Sequence, residues 1–294
     1  MSCSIFTTAE SAACRRLIEL ALEEDLGRAG DLTSQALIPA DLQGQAVFIA
    51  RSPGVLAGLQ TVDLVCARVD RHVVCEPFVE DGSHLDANCR LAILRGPVRA
   101  ILAVERTALN FLQHLSGIAT ATRRYVDAVA GLPARILDTR KTTPGYRLLE
   151  KHAVRCGGGH NHRMGLFDDI LIKDNHLASL GADPDGIATI LEKVRSKVGA
   201  GVAIEIEVDS LEQFKRALTG KPNIILLDNM PLGEMREAVR RRNAAAPEVQ
   251  LEASGGVNLI TVRSIAETGV DRISVGALTH SAPALDIALD YSKT

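Results

Sequence analysis

The chain contains no tryptophan, and aromatic residues make up only 3% of its 294 positions. Single-strand nucleic-acid binders stack bases on aromatic faces, so this composition argues against that class. Neither sign of charge dominates: 33 lysines and arginines stand against 36 acids, for a net −3. No global field therefore favours nucleic acid. No apolar run approaches the ~20 residues needed to span a bilayer. The opening "MSCSIFTTAESAACRRLIEL" lacks the unbroken apolar core and small-residue cleavage site of a signal peptide. There is no C-x-x-C pair. The six cysteines, Cys3, Cys14, Cys66, Cys75, Cys89 and Cys156, are scattered, as expected of free thiols in a reducing cytoplasm rather than of a zinc site. Low-complexity segments and long linkers are also missing. What the chain does have is apolar mass, 46% hydrophobic, enough for a sizeable core. At about 150 residues per domain, its length suggests two domains.

Residues 13–26 read as an amphipathic helix stopped by Gly27. "QAVFIA", "GVLAG", "HVVCEPFV" and "RLAILRG" between 44 and 95 are short β-rich pieces broken by Pro, Gly and the Asp81-Gly82 turn. A long helical pattern follows from about Pro97 to Val129. Beyond Gly131, apolar runs at 135–138, 169–173, 202–208, 224–227, 249–253 and 272–275 alternate with helix-like segments such as "PDGIATILEKVRSKVG". Repeated βα units imply parallel strands, and a series this long suggests a barrel. The expected fold class is thus α/β: a small α/β sandwich over 1–116, then a barrel over 117–294.

Polar residues gather where these strands end. They are Asp138-Thr139-Arg140-Lys141, Lys173-Asp174-Asn175, Glu205 with Glu207, Asp228-Asn229, Ser254-Gly255-Gly256, and Gly276-Ala277. The carboxyl ends of barrel strands are where active sites are built. In "AIEIEV", Ile204, Ile206 and Val208 share one face, leaving Glu205 and Glu207 on the other, toward the barrel interior. A carboxylate there needs a cation or a metal. Residues 135–176 hold eight lysines and arginines against five acids, and half of the eight histidines.

The stretch "GGGHNHRMG" (157–165) admits three readings: a metal site, a structural turn, or an anion site. Its two histidines lack a nearby H-E-x-x-H or cysteine partner, which weakens the first. Arg163 offers a planar fork for carboxylate or phosphate, with Arg140, Lys141 and Lys173 adding charge, and the glycines would let backbone approach a ligand. A second anion signal is "ASGGV" (253–257), before a helix expected to open at Asn258; "SVGAL" (274–278) repeats the arrangement. Together they describe a phosphate subsite, a further anionic subsite and at least two acids.

The blocks "LDTRKTTPG" (137–145), "HAVRCGGGHNHRMGLFDDILIKDNH" (152–176), "IEIEVDSLEQ" (204–213), "LLDNM" (226–230), "EASGGV" (252–257) and "SVGALTHS" (274–281) resemble the quinolinate phosphoribosyltransferase family of NAD biosynthesis. "EEDLGRAGDLTS" (23–34) and "ERTALNFLQHLSGIAT" (105–120) extend the resemblance over nearly the whole chain; Met230 stands where phenylalanine is more usual. The resemblance implies an N-terminal open α/β sandwich and an incomplete, seven-stranded parallel α/β barrel, with the seventh strand around 154–163 and a last helix packing back on the first domain. It implies transfer from 5-phosphoribosyl diphosphate to quinolinate with Mg²⁺, giving nicotinate mononucleotide, diphosphate and carbon dioxide. It also implies a cytoplasmic homodimer, or a larger oligomer, with sites completed across the interface and no nucleic-acid or membrane partner. Carried over, Arg140, His162 and Arg163 hold the two carboxylates and Arg106 enters from the partner. Lys141 and Lys173 face the diphosphate and a substrate carboxylate, with a catalytic part. Glu207 and Asp228 serve the ribose, the metal or both, also catalytically. Thr139 lines the rim, and Ser254, Gly255, Gly256, Val275, Gly276 and Ala277 hold the 5-phosphate. Glu205 only anchors a lysine, or divides the role with Glu207. Other readings are a paralogous phosphoribosyltransferase of the same fold, such as the one encoded in some molybdate-transport operons, a non-catalytic sensor of a phosphorylated metabolite, and a metal-dependent barrel aldolase or epimerase.

Overall fold

The computed structural model describes residues 5–180, 186–199 and 201–292; Cys3 and the Pro184-Asp185 opening of one expected helix lie outside these. Elements run in the order α1 (Thr8–Leu26), α2 (Leu32–Leu37), β1 (Gln43–Ala50), β2 (Gly54–Val55), α3 (Leu59–Val69), β3 (Val74–Pro77), β4 (His84–Leu85), β5 (Arg90–Pro97) and α4 (Val98–Ala128). There follow β6 (Arg135–Leu137), α5 (Arg147–Cys156), β7 (Ile170–Ile172), α6 (Asp174–Ser179), α7 (Ile187–Arg195), β8 (Ile204–Val208), α8 (Leu211–Thr219) and β9 (Ile224–Asp228). The chain closes with α9 (Leu232–Ala245), β10 (Gln250–Ser254), α10 (Val262–Ala266), β11 (Arg272–Ser274), α11 (Ala277–His280) and β12 (Ile287–Ser292). Two compact units result: residues 1–123, 141–159 and 278–294 form the first, and residues 124–140 and 160–277 the second.

In the first unit an antiparallel sheet has the order β12-β1-β5-β3. Its central strand β1 buries Ala46, Phe48 and Ala50. The last element was expected to be a helix. It is a strand instead, because Ile287, Leu289 and Tyr291 alternate with period two and the segment pairs in register with the edge of β1. Helix α1 also starts earlier than its apolar pattern suggests. Thr7 and Glu10 form a reciprocal capping box, Thr7 N–H donating to Glu10 Oε2 at 2.7 Å and Glu10 N–H to Thr7 Oγ1 at 3.2 Å. Gly27, at φ 52, ends it.

Two of the glycines of 157–159, expected to let backbone approach a ligand, have a packing role. A Cβ on Gly157 would collide with the Ala119 carbonyl and Thr122 of α4, and one on Gly159 with Thr122 and Val154. Their smallness lets the end of α5 lie against α4.

The second unit holds a fully parallel sheet of six strands, ordered β6-β11-β10-β9-β8-β7. The expected seventh strand shrinks to one residue. His160 N–H donates to Ile136 O at 2.8 Å, and Asp138 N–H to His160 O at 3.1 Å, a single parallel bridge beside β6. The chain then leaves the ladder because His162 N–H turns to the Asp138 carboxylate, at 2.9 Å. Strand β9 is buried along "IILL", as a parallel strand covered on both faces must be. No helix among the described residues is long and apolar enough to cross a membrane.

Two glycine substitutions test the packing. Gly157→Ala is expected to destabilise by about 1–3 kcal/mol through overpacking. Gly233→Ala, at an exposed site in α9 with open space around it, should be neutral or stabilising by about 0.5–1 kcal/mol. Urea denaturation midpoints compare the two, and equal effects would remove the packing role of Gly157.

Candidate active site

Parallel pairing gathers the carboxyl ends of six strands at one end of the second unit. Ile172 pairs with Ile206, so Lys173 comes level with Glu207 and Nζ donates to Oε2 at 2.8 Å. Asp228 pairs with Ser254 across β9 and β10. Asn229, at φ 53, gives its N–H to Ser254 O at 2.9 Å and its side-chain amide to Asp228 Oδ2 at 3.0 Å. Gly255 and Gly256 are left-handed, φ 95 and 59, and a Cβ on Gly255 would strike the Asn229 side chain. Val275 donates its N–H to Leu137 O at 2.9 Å with its side chain buried, so it has no side-chain atoms to offer a ligand.

The helix expected to open at Asn258 does not. Asn258 Oδ1 accepts from Ile260 N at 2.9 Å and Thr261 N at 3.1 Å, forming a turn, and the five-residue α10 begins only at Val262. The phosphate reading of this stretch therefore rests on the backbone of the Gly255-Gly256 turn.

Beneath the rim lies a buried ionic chain. Arg272 Nε donates to Glu252 Oε2 at 2.6 Å. His162 Nε2 lies 3.4 Å from Glu252 Oε1 and 3.2 Å from Glu205 Oε2. Burial opposes ionisation of both carboxyls. At Glu252, His162 and Arg272 outweigh it and hold the carboxyl low. At Glu205 burial prevails over the His162 contact, helped by the Glu252 charge, and the carboxyl is pushed up. Burial alone would lower His162, yet its two carboxylate neighbours push it up to about 9. Against that second proton, Arg163 N–H donates to His162 Nδ1 at 2.8 Å, which needs a lone pair there. We therefore assign the neutral Nε2–H tautomer in this geometry. The parity expectation for β8 holds: Ile204, Ile206 and Val208 are buried, while Glu205 and Glu207 meet cations or a histidine on the opposite face.

Arg163 is the buried guanidinium of the "GGGHNHRMG" stretch, 9% exposed, with Nη1 donating to Asp169 O at 3.1 Å. Burial pushes its pKa down, and so does the positive charge of Arg140. Two guanidiniums held within each other's field form a receptacle for an anion. Asp138, fully buried at the end of β6, fixes the loop that carries them. It accepts Asn161 Nδ2 at 2.6 Å as well as the His162 N–H.

The second unit thus brings together Thr139, Arg140, His162, Arg163, Lys173, Glu207, Asp228, Ser254, Gly255, Gly256, Val275, Gly276 and Ala277. Arg106 and Lys141 belong to the first unit, where both are exposed. Arg106 sits on α4, and the Lys141 carbonyl accepts Thr279 Oγ1 at 2.7 Å. In the same unit buried Glu150 steadies the loop after Lys141, accepting Thr143 N–H at 3.2 Å. Glu252 and Arg272 were missed from sequence. Glu252 shares pleat parity with Ser254, a usable signal, but nothing local marks Arg272.

Among the described residues two clusters have ligand atoms close enough to share a metal: His162, Glu205 and Glu252, and Asp81, His152 and Cys156. Arg272 already neutralises the first. In the second, Asp81 accepts Gly58 N–H at 2.8 Å, Leu59 N–H at 2.9 Å and lies 2.9 Å from His152 Nε2, so it caps α3.

The family described as quinolinate phosphoribosyl transferase matches this chain twice, its N-terminal domain over residues 31–116 and its C-terminal domain over 118–290. The chain belongs to this family. It is 47% identical over 284 residues to the nicotinate-nucleotide pyrophosphorylase (carboxylating) of Mycobacterium leprae (strain TN), covering 96% of this chain and 98% of that protein. The solved nicotinate-nucleotide pyrophosphorylase of Francisella tularensis superposes with a TM-score of 0.88 at 38% identity, over 96% of this chain and 97% of that one. NadC of Streptococcus pyogenes gives 0.91 at 35%, over 99% and 100%. The quinolinate phosphoribosyl transferase fold accordingly accounts for the mixed architecture, a parallel sheet with a separate antiparallel one.

The ionic chain makes an asymmetric prediction. Glu252→Gln leaves Arg272 half-paired and should cost about 3–5 kcal/mol. Glu205→Gln removes a carboxyl whose ionisation burial already opposes, and should cost less than Glu252→Gln. Because the Glu205 carboxyl is raised, wild-type stability falls as pH climbs from the ordinary glutamate range through the folded value, and Glu205→Gln should remove that slope. Denaturant titrations across pH measure both, and equal costs at pH 7 would refute the assignment.

Proposed function

We propose that this chain transfers the phosphoribosyl group of 5-phosphoribosyl diphosphate to quinolinate, with decarboxylation to nicotinate mononucleotide, a step of NAD biosynthesis. Family membership supports the reaction class. The observation that carries the substrate is the Arg140–Arg163 pair, two guanidiniums whose mutual repulsion a diacid relieves.

In the proposed reaction the pyridine nitrogen bonds to the ribose C1 as the C1–O bond to diphosphate breaks. Positive charge develops on the sugar ring, and the leaving group carries away the electron pair. Glu207 and Asp228, partly exposed at the ends of adjacent strands, face the ring, while Lys173 and Lys141 steady the diphosphate. As carbon dioxide leaves, the electron pair of the C–CO₂ bond stays on the ring carbon, stabilised by the positive charge of the adjacent quaternary nitrogen, and that pair takes up a proton. Ser254, the Gly255-Gly256 turn, Gly276 and Ala277 hold the 5-phosphate, and Val275 anchors the second turn through its N–H to Leu137 O. Thr139 completes the rim. Both ring nitrogens of His162 are engaged by protein groups, so we assign it to positioning Arg163, whose N–H it accepts, rather than to touching the diacid.

Glu207 and Asp228 offer hard carboxylate oxygens of the kind that hold Mg²⁺ together with substrate phosphates, and the ion would neutralise the departing diphosphate. The exposed Arg106 is assigned to the site of a second copy, in a homodimer. Free Cys14, Cys66, Cys75, Cys89 and Cys156 suit a reducing, cytoplasmic setting.

Purified protein with quinolinate, 5-phosphoribosyl diphosphate and Mg²⁺ should release diphosphate and carbon dioxide together, and nicotinate should not substitute. Diphosphate release with nicotinate alone would overturn the substrate. Arg163→Ala should lower kcat/KM by about 100-fold, the worth of roughly 3 kcal/mol of lost charged contact. Mixing inactive Arg106→Ala and Arg163→Ala proteins should regenerate part of the activity on subunit exchange; exchange without recovery would separate Arg106 from the site.

A further inference from the structure

At the opposite end of the same sheet the second unit contains a cavity of about 370 Å³, lined by Arg135, His160, Asn161, Gln250, Asp271 and Arg272 among others. Arg135, Gln250 and Arg272 are the first residues of β6, β10 and β11, so the cavity lies at the amino ends of the strands, away from Thr139, Asp228 and Ser254. Its volume is in the range of small-molecule sites, roughly 300–1,000 Å³.

The charges around it do not cancel. Asp271 is the acid in the lining, and it is committed: Arg242 Nη1 donates to Oδ2 at 2.6 Å and Leu251 N–H at 2.7 Å. Arg272 spends its Nε on Glu252, and Asn161 its side-chain amide on Asp138. Arg135 is exposed and meets no carboxylate among the described residues. His160 lies within the field of both arginines: burial first, then Arg135 and Arg272, keep its ring below the ordinary histidine range. The uncompensated charge of Arg135, together with side-chain N–H donors of Arg272, Gln250 and the bridge segment, therefore converges on one polar space.

We propose that this cavity binds the phosphate group of a small phosphorylated metabolite, with Arg135 and Arg272 as charged ligands and His160 and Gln250 as hydrogen-bonding partners. Phosphate suits the set because donors from four segments surround a tetrahedral oxyanion, where one planar carboxylate would use only two of them. The space beyond the phosphate accommodates the body of the metabolite. The site is separate from the one proposed for the 5-phosphate, and it stands whether or not the transfer reaction does.

The probe is inorganic phosphate, titrated into the whole protein against sodium chloride of matched ionic strength. The readout is the His160 ring resonance by NMR, identified from the spectrum of His160→Gln. A saturable shift of His160 is expected in wild type. In Arg135→Gln its midpoint should move to about tenfold higher phosphate or beyond. Gln250→Glu, which places an acid in the cavity at an exposed position, should abolish it; if one variant fails to fold, as judged by circular dichroism, the other still decides. No saturable shift beyond the chloride control, or an unchanged midpoint in the folded variants, overturns the proposal and leaves an adventitious ion only.

Discussion

The interior of the second unit depends on one electrostatic chain, Arg272–Glu252–His162–Glu205. It ties β11 to β10, β10 to the 160–163 segment, and that segment to β8. An apolar filling would hold the strands as well, and often better, since burying charges is costly. What the ionic chain adds is direction. It sets the tautomer of His162, whose Nδ1 then accepts the Arg163 N–H and orients the backbone that carries the guanidinium to the rim. The hidden layer thereby governs the geometry of the exposed one.

Above it, the rim is arranged by repulsion as much as by attraction. Burial and the positive charge of Arg140 both loosen the hold of Arg163 on its proton, and the protein leaves part of that tension to be relieved by a ligand. Lys173 and Glu207 make the complementary arrangement, a pair at 2.8 Å at the ends of neighbouring strands. A site with paired cations at one place and acids a strand or two away suits a reaction that separates charge, because each end of the transition state meets its own fixed counter-charge.

The same sheet carries charge at its two ends for opposite reasons. At the carboxyl ends the strands open into loops whose glycines free backbone N–H groups. At the amino ends the first residues of β6, β10 and β11 bring arginines and a glutamine around a polar cavity. Between them β9 is apolar on both faces.

Much of this was legible from sequence. Period-two and helical patterns located the six parallel strands and the long α4 because burial imposes those periods locally. Parity alone separated Glu205 and Glu207 from Ile204 and Ile206. Strand ends identified most rim residues. Other features were decided only in three dimensions. Gly157 and Gly159 serve helix packing, because their neighbours Ala119 and Thr122 are distant in sequence. The seventh strand is a single bridge, since the Asp138 carboxylate competes for the His162 N–H that a ladder would have used. The closing helix is a strand because the edge of β1 offers unpaired backbone groups. Glu252 and Arg272 acquired meaning only on meeting each other. Sequence records the period of burial, but the partner of a buried charge is chosen by the fold, which alone brings residues 162, 205, 252 and 272 together.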